Sequence, residues 1–350
     1  MVCEAQVPFV HGGAELHVRG LVAELKRRGY RAEQVSLPFK WYPKRELLAQ
    51  AAAWRLVDLT ESNGLPIDAV IATKFPTYFV RHPNKITWLF HQYRAIYDLL
   101  GTPYSEFGHE EGDVRLRDTL IGLDNEVLSE STRLFANSRN TAARLARYNG
   151  LDAEPLYHPP PLAGKIARGP FGDYVLSVGR LEANKRVDLA IRAMAHVDSR
   201  VRLVVVGEGP LRDTLEQVAE EARVGHRVEW TGAIDDAHLV DLYAGALAVV
   251  FPPYDEDYGY VTLEAFLAGK PVVTVTDAGG PLEFVRHEQT GLVAAPEPVA
   301  LGALLDRLAA NLPLAKSLGG AGYERARAIT WDGVVERLVG VERHGAARES

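Results

Sequence analysis

Short apolar runs alternate with helix-period patterns along nearly the whole chain, and the alternation restarts after one proline- and glycine-rich break. The first helix pattern is the clearest. From Gly13 to Arg28, the residues Ala14, Val18, Leu21, Val22 and Leu25 share one face, and Gly29 stops it. Strand-like runs fall at Ile67–Ala72, Ile86–Phe90, Leu134–Ala136 and Glu154–Tyr157. The break is His158-Pro159-Pro160-Pro161-Leu162-Ala163-Gly164, followed by Arg168-Gly169-Pro170-Phe171-Gly172. Three consecutive prolines exclude helix and central strand, and the later glycines loosen the chain. Strand-like runs then return at Tyr174–Val178, Val201–Val206, Arg227–Trp230, Leu247–Phe251, Val272–Val275 and Gly291–Ala294, with helices between. Strands separated by helices build a doubly wound parallel sheet covered on both faces. The pattern therefore predicts an α/β chain of two Rossmann-like domains, 1–162 and 163–330, with a C-terminal segment 331–350 whose helix lies near Trp331 to Glu342. Met1-Val2-Cys3 reads as the tail of a first strand, one that is short or begins upstream.

A chain of 350 residues suits two cores better than one. Its formal charge of -7, from 39 basic and 46 acidic residues, argues against coating nucleic acid. The one cysteine, Cys3, leaves no internal disulfide and argues against a cysteine-based metal site. A reducing compartment follows as the expectation. No uncharged apolar run approaches the ~18 residues a membrane helix needs, and the start has no signal-peptide pattern. The expected location is cytoplasmic, including the inner membrane surface as a peripheral site. A local basic patch, and with it a lipid-linked acceptor, is compatible with the acidic total.

The segment Asp255-Glu256-Asp257-Tyr258-Gly259-Tyr260-Val261-Thr262-Leu263-Glu264-Ala265 carries the strongest chemical signal. It joins an apolar strand to a helix expected from Tyr260 to Gly269. A helix N-terminus preceded by glycine offers unpaired N–H groups and the positive end of the dipole, which suits a phosphate. Carboxylates there need another partner, and sugar hydroxyls fit because an ionised carboxylate only accepts hydrogen bonds. Arg180 and Lys185 follow the first strand of the second half, at an end that faces the crevice in open α/β sheets. Two cations there can neutralise charge on a departing diphosphate. Asp255-Glu256-Asp257 also contains Asp-x-Asp, a metal-binding pattern, although the nearby cations can do the metal's electrostatic work. The eleven histidines include no metal-type His-x-x-x-His pair.

Glu256 and Glu264 flank Gly259 and precede Ala265-Phe266-Leu267-Ala268-Gly269-Lys270-Pro271. With His11-Gly12-Gly13-Ala14-Glu15, Ser177-Val178-Gly179-Arg180-Leu181, Val206-Gly207-Glu208-Gly209-Pro210 and Ala278-Gly279-Gly280-Pro281 in that order, the chain resembles the retaining glycosyltransferases of family 4 from about Val10 to Arg327. The resemblance implies the GT-B fold, two domains facing a central cleft, with the last helix crossing back onto the first. It also implies transfer of a hexose from a nucleoside diphosphate sugar, UDP- or GDP-linked, to a hydroxyl on a sugar, natural product or lipid-linked glycan, with no cofactor and no metal. Arg180 and Lys185 would hold the diphosphate, Glu256 and His91 the transferred sugar, and Glu264 the ribose. Gly12, Gly13, Gly207, Gly209, Ile234 and the backbone of Tyr258, Gly259 and Tyr260 would complete the donor site. His91 follows the strand Ile86–Phe90, with Gln92, Tyr93, Arg94 and Asp98 on the acceptor side and the stretch from Pro38 to Arg45, with Trp41 and Tyr42, as a rim. Arg186 is expected at the surface, and His109 and His158 in loops. The alternatives are a sugar-nucleotide epimerase or hydrolase of the same fold, or a non-catalytic sugar-nucleotide-binding protein.

Overall fold

The computed structural model describes residues 1–8, 12–198 and 200–340; His11 and the segment after Gly340 lie outside them. Twelve strands form two six-stranded parallel sheets. The first contains Val2–Gln6, Gln34–Pro38, Val70–Ala72, Lys85–Leu89, Arg133–Ala136 and Glu154–Pro155. The second contains Tyr174–Val178, Arg202–Val206, Val228–Gly232, Ala248–Val250, Val272–Val275 and Gly291–Ala294. In the second sheet the spatial order is third, second, first, fourth, fifth, sixth. Its strands are nearly all apolar and buried, because helices cover both faces.

Two differences from the sequence pattern have physical causes. The first strand runs on to Gln6, and it pairs in register with Gln34–Pro38, which the apolar pattern does not mark. That partner is a half-exposed edge strand ending in proline, so it needs neither a buried run nor a full ladder. The strand expected from Ile67 begins only at Val70, because the Ile67 N–H is donated to the Thr60 carbonyl beside a short hairpin.

The last helix, Trp331–Val339, buries Val334, Val335 and Leu338 among Val18, Leu21, Val22 and Leu25 of the first domain. A β-carbon at Gly20 would meet the Trp331 ring at 3.3 Å, so glycine there admits the docking. The chain thus crosses back. Lys270 ties the linker down by donating to the Gly169 and Pro170 carbonyls at 3.1 and 2.7 Å.

One buried acid makes the first domain's stability depend on pH. Asp124 is fully buried, and burial pushes its carboxyl up to about 7 even though the Tyr97 hydroxyl donates to it at 2.7 Å. The folded state therefore holds a proton that the unfolded chain releases near pH 4, and stability is lost as pH rises from about 4 to 7. Asp124→Asn, a near-isostere of the protonated acid, is expected to match the parent at pH 4 and to gain on the order of 1–4 kcal/mol at pH 8. Denaturant melts at the two pH values check this, and a parallel offset at both would refute it.

Candidate active site

In the second sheet the first and fourth strands are neighbours, and the chain leaves them in opposite directions. Open α/β sheets form their ligand crevice at such a point, beyond the strand C-termini. Arg180 follows one of these strands and Glu256 the other. The first sheet has the same arrangement between Val2–Gln6 and Val70–Ala72. The loops beyond these ends face one cleft of about 540 Å³. Its lining brings together Gly12, Gly13, His91, Arg180, Lys185, Glu256, Tyr258, Gly259 and Tyr260.

The helix Tyr260–Leu267 starts at this cleft because Gly259 adopts φ +82°. A β-carbon there would be strained, and would lie 3.0 Å from Pro281 and 3.1 Å from Phe251. The first N–H groups of that helix have no partner within it. The flanking tyrosine side chains are anchored elsewhere. Tyr258 donates to the His158 carbonyl at 2.5 Å, and the Tyr260 hydroxyl lies 2.7 Å from His158 Nε2 and 3.2 Å from His17 Nδ1. A β-carbon on Gly13 would meet the Tyr260 ring at 3.1 Å, so this glycine makes room for a side chain of the other domain. Gly12 lines the cleft too, but its N–H is donated to Glu15 Oε2 at 3.0 Å. His158 and His109 both lie in loops as expected, but His158 is buried and lines the cleft, whereas His109 is exposed. Burial holds both His17 and His158 well below the usual imidazole range.

The cations and carboxylates are paired. Lys185 is ion-paired with Glu256, and half-exposed Arg180 lies 2.6 Å from Glu182. Arg186 is not a surface residue. It grips Asp277 through two nitrogens and donates to the Pro252 and Pro253 carbonyls, holding the strand end that leads to Glu256. Four expected donor residues are not among those lining the cleft. Gly207 and Gly209 pack under it: β-carbons there would fall 2.0 Å from the Gly179 oxygen and 2.6 Å from Leu181 backbone atoms. They let two turns lie together and so support Arg180. Ile234 joins the apolar cluster around Tyr243. Glu264 is buried and accepts from the Tyr243 hydroxyl at 2.8 Å; burial pushes its carboxyl up to about 7 against that bond.

On the first-domain side, His91 Nδ1 lies 2.8 Å from the Gln92 carbonyl, which makes Nδ1 the donor and leaves Nε2 as acceptor. Burial lowers its pKa, with Asp257 opposing. Gln92, Tyr93, Arg94 and Trp41 line the cleft, while Tyr42 is exposed outside it. Asp98 instead pairs with Arg94 and Arg144. The Asp-x-Asp carboxylates are likewise engaged. Asp255 lies 3.3 Å from Arg94, and Asp257 is ion-paired with Arg144, which with Arg94 overrides burial and lowers it to about 2. At Asp255 the balance is the reverse: burial raises its carboxyl although Asn140 and Arg94 oppose.

The pattern reading missed the buried Glu15–Lys74 pair, at 2.8 Å, and His17, all on the cleft lining. Lys74 was within reach, since it follows a strand C-terminus. His17 sits four residues after Gly13, on the same helix face. Arg144 gives no such signal, because its helix looks like any basic surface helix.

Residues 168–325 match the family model of the glycosyl transferases group 1. The second domain is a glycosyl transferases group 1 domain. An uncharacterized glycosyltransferase of Methanocaldococcus jannaschii is 33% identical over 171 residues, 48% of this chain and 44% of that protein. The chain thus spans less than half of that relative. A D-inositol 3-phosphate glycosyltransferase of Segniliparus rotundus is 26% identical over 384 aligned positions, 94% of this chain and 83% of that protein. Among solved structures, sucrose-phosphate synthase from Thermosynechococcus elongatus superposes with a TM-score of 0.74 at 20% identity, covering 96% of each chain. The group 1 domain therefore sits in a GT-B fold, as the sequence resemblance implied.

Proposed function

We propose that the protein is a retaining, metal-independent glycosyltransferase that moves a hexose from a nucleoside diphosphate sugar to an acceptor hydroxyl. One observation carries this reading: a single cleft joins the N-terminus of the helix Tyr260–Leu267, the cations Arg180 and Lys185, and the Glu256 carboxylate. The helix amides and the two cations suit a diphosphate leaving group, whose charge grows as the glycosidic bond breaks. Glu256 and the His91 Nε2 acceptor suit hydroxyls of the transferred sugar. Pairing with Lys185 stabilises the Glu256 charge and blunts it as a nucleophile, which favours a front-face displacement in which the departing phosphate takes the acceptor proton. The acceptor enters from the first-domain side, where Phe39, Trp41, Phe75 and Tyr93 line the cleft. No described helix is long and apolar enough to cross a membrane, and we place the reaction in the cytoplasm or at its membrane surface.

The test is a thermal-shift panel of UDP, GDP and their sugars, run with excess chelator and then with added manganese. One base family is expected to raise Tm without metal, through a stabilisation of roughly 2.7 kcal/mol for a ligand at 100 times its Kd. The best sugar nucleotide then enters an acceptor screen, where turnover is expected to be unchanged by chelator. No shift with any nucleotide refutes the donor assignment, a rate restored only by manganese refutes metal independence, and turnover without acceptor points to hydrolysis or epimerisation.

A further inference from the structure

Asp255, Glu256 and Asp257 are consecutive, yet their carboxylates go to opposite domains. Glu256 turns to Lys185 of its own domain. Asp255 accepts from Asn140 Nδ2 at 2.6 Å and lies 3.3 Å from Arg94. Asp257 is ion-paired with Arg144, and Arg94 stands 3.6 Å from it. All three of these partners belong to the first domain, where Asp98 pairs with both arginines. The cluster is enclosed: the Arg144 and Arg94 side chains are 4% and 11% exposed.

The same loop is clamped from behind by its own domain. The Glu256 N–H is donated to Ala278 at 2.8 Å, and its carbonyl accepts from Gly280 at 2.7 Å. Gly279 is left-handed, and a β-carbon there would lie 2.6 Å from the Asp255 carboxylate and 2.7 Å from the Glu256 carbonyl. Asp255 itself holds φ +42°, a conformation that costs energy in a non-glycine residue. A further carboxylate of the second domain, Glu283, accepts from the Arg139 and Asn140 N–H groups at 3.0 and 2.8 Å, beside the same contact.

We infer that Asp255 and Asp257 are positioning residues which, with Arg94 and Arg144, form an interdomain clasp that fixes Glu256 in the cleft when the two domains are together. With the domains joined, two guanidinium groups face three carboxylates and an amide donor. Parting them leaves a net positive charge on the first domain's face and two unpaired carboxylates on the second. The clasp therefore distinguishes the joined from the parted state, as a device that biases a domain motion must. The Asp-x-Asp pattern is thereby a docking pair, one residue on each side of the sugar-facing carboxylate. The role of Glu256 rests on the proposed function; the clasp does not.

The test compares Asp257→Asn, Arg144→Gln, their double mutant and Asp257→Glu with the parent. Asp257→Asn is expected to lower kcat by roughly 10–100-fold, the scale of a 1 Å misplacement. The Tm shift given by the nucleoside diphosphate alone, whose expected partners lie in the second domain, should stay at the parent value. The radius of gyration in solution scattering should rise, Asp257→Glu should recover part of the rate, and the double mutant should be no slower than the slower single. A kcat within twofold of the parent, an unchanged radius of gyration, or losses that multiply would overturn the clasp. If Asp257→Asn does not fold, Asp255→Asn, at the more exposed carboxylate, is read by the same measurements. If the parent neither binds a nucleotide nor transfers sugar, the proposed function fails, and scattering with a double-mutant cycle on stability decides the clasp alone.

Discussion

Lys185→Ala is expected to lower kcat by about 100–1000-fold, the usual cost of removing one electrostatic donor from a preorganised site. Two effects act together. The variant loses the cation that meets the growing diphosphate charge, and it leaves Glu256 without its ion-pair partner. An unpaired carboxylate beside a diphosphate repels it, so donor affinity should fall as well. Arg180→Ala should be milder in the donor-free protein, because Arg180 is half-exposed and its ion pair is with Glu182 of the same loop. Its effect should still appear in kcat, where the transition state carries more charge than the ground state. Lys185→Arg keeps the charge but not the reach, and should lie between. Steady-state rates with saturating donor and acceptor check the series. More than half the activity remaining in Lys185→Ala would remove Lys185 from the diphosphate site.

How much of this site was legible in the sequence depends on what kind of signal each residue gives. Arg180, Lys185, Glu256 and Gly259 sit at strand ends and at a helix start, places that apolar runs and glycines mark directly. The doubly wound parallel sheets follow from the same alternation, whereas their strand order does not. What the pattern could not show is where side chains go once the domains meet. Gly13 looks like a ligand-facing glycine, yet the atom it makes room for belongs to Tyr260, almost 250 residues away in sequence. Gly207 and Gly209 look like donor-loop glycines, yet they relieve a clash with the turn that carries Arg180. Arg186 stands beside Lys185 in an apparently solvated basic pair, and only its left-handed backbone turns it inward to Asp277. Contacts between distant segments leave no period or spacing in one sequence, so the Arg94–Arg144–Asp257 cluster was invisible, and nothing in the sequence said which partners Asp255 and Asp257 take.

Glu264 offers the sharpest solution test of the donor side. Its carboxyl is pushed up to about 7 by burial, so it is largely protonated at pH 6 and ionised at pH 8. If it binds ribose hydroxyls, those hydroxyls donate to the ionised form. Affinity for the sugar nucleotide should then tighten as pH rises through about 7, by at most tenfold per unit below that point, and level off above it. The sugar nucleotide is the proper probe, because the terminal phosphate of a free nucleoside diphosphate titrates in the same range. Glu264→Gln should abolish the slope and weaken binding at pH 8 by roughly 10–150-fold, the value of hydrogen bonds to a charged group. Misfolding would not explain such a loss. A raised carboxyl pKa means that the folded protein loses stability as pH rises from about 4 to 7, so the neutral glutamine should be at least as stable as the parent at pH 8. Titration calorimetry at pH 6, 7 and 8 separates the outcomes. A flat parent profile, with Glu264→Gln binding as tightly as the parent, would make Glu264 a buried structural acid paired with Tyr243 and move the ribose to other groups.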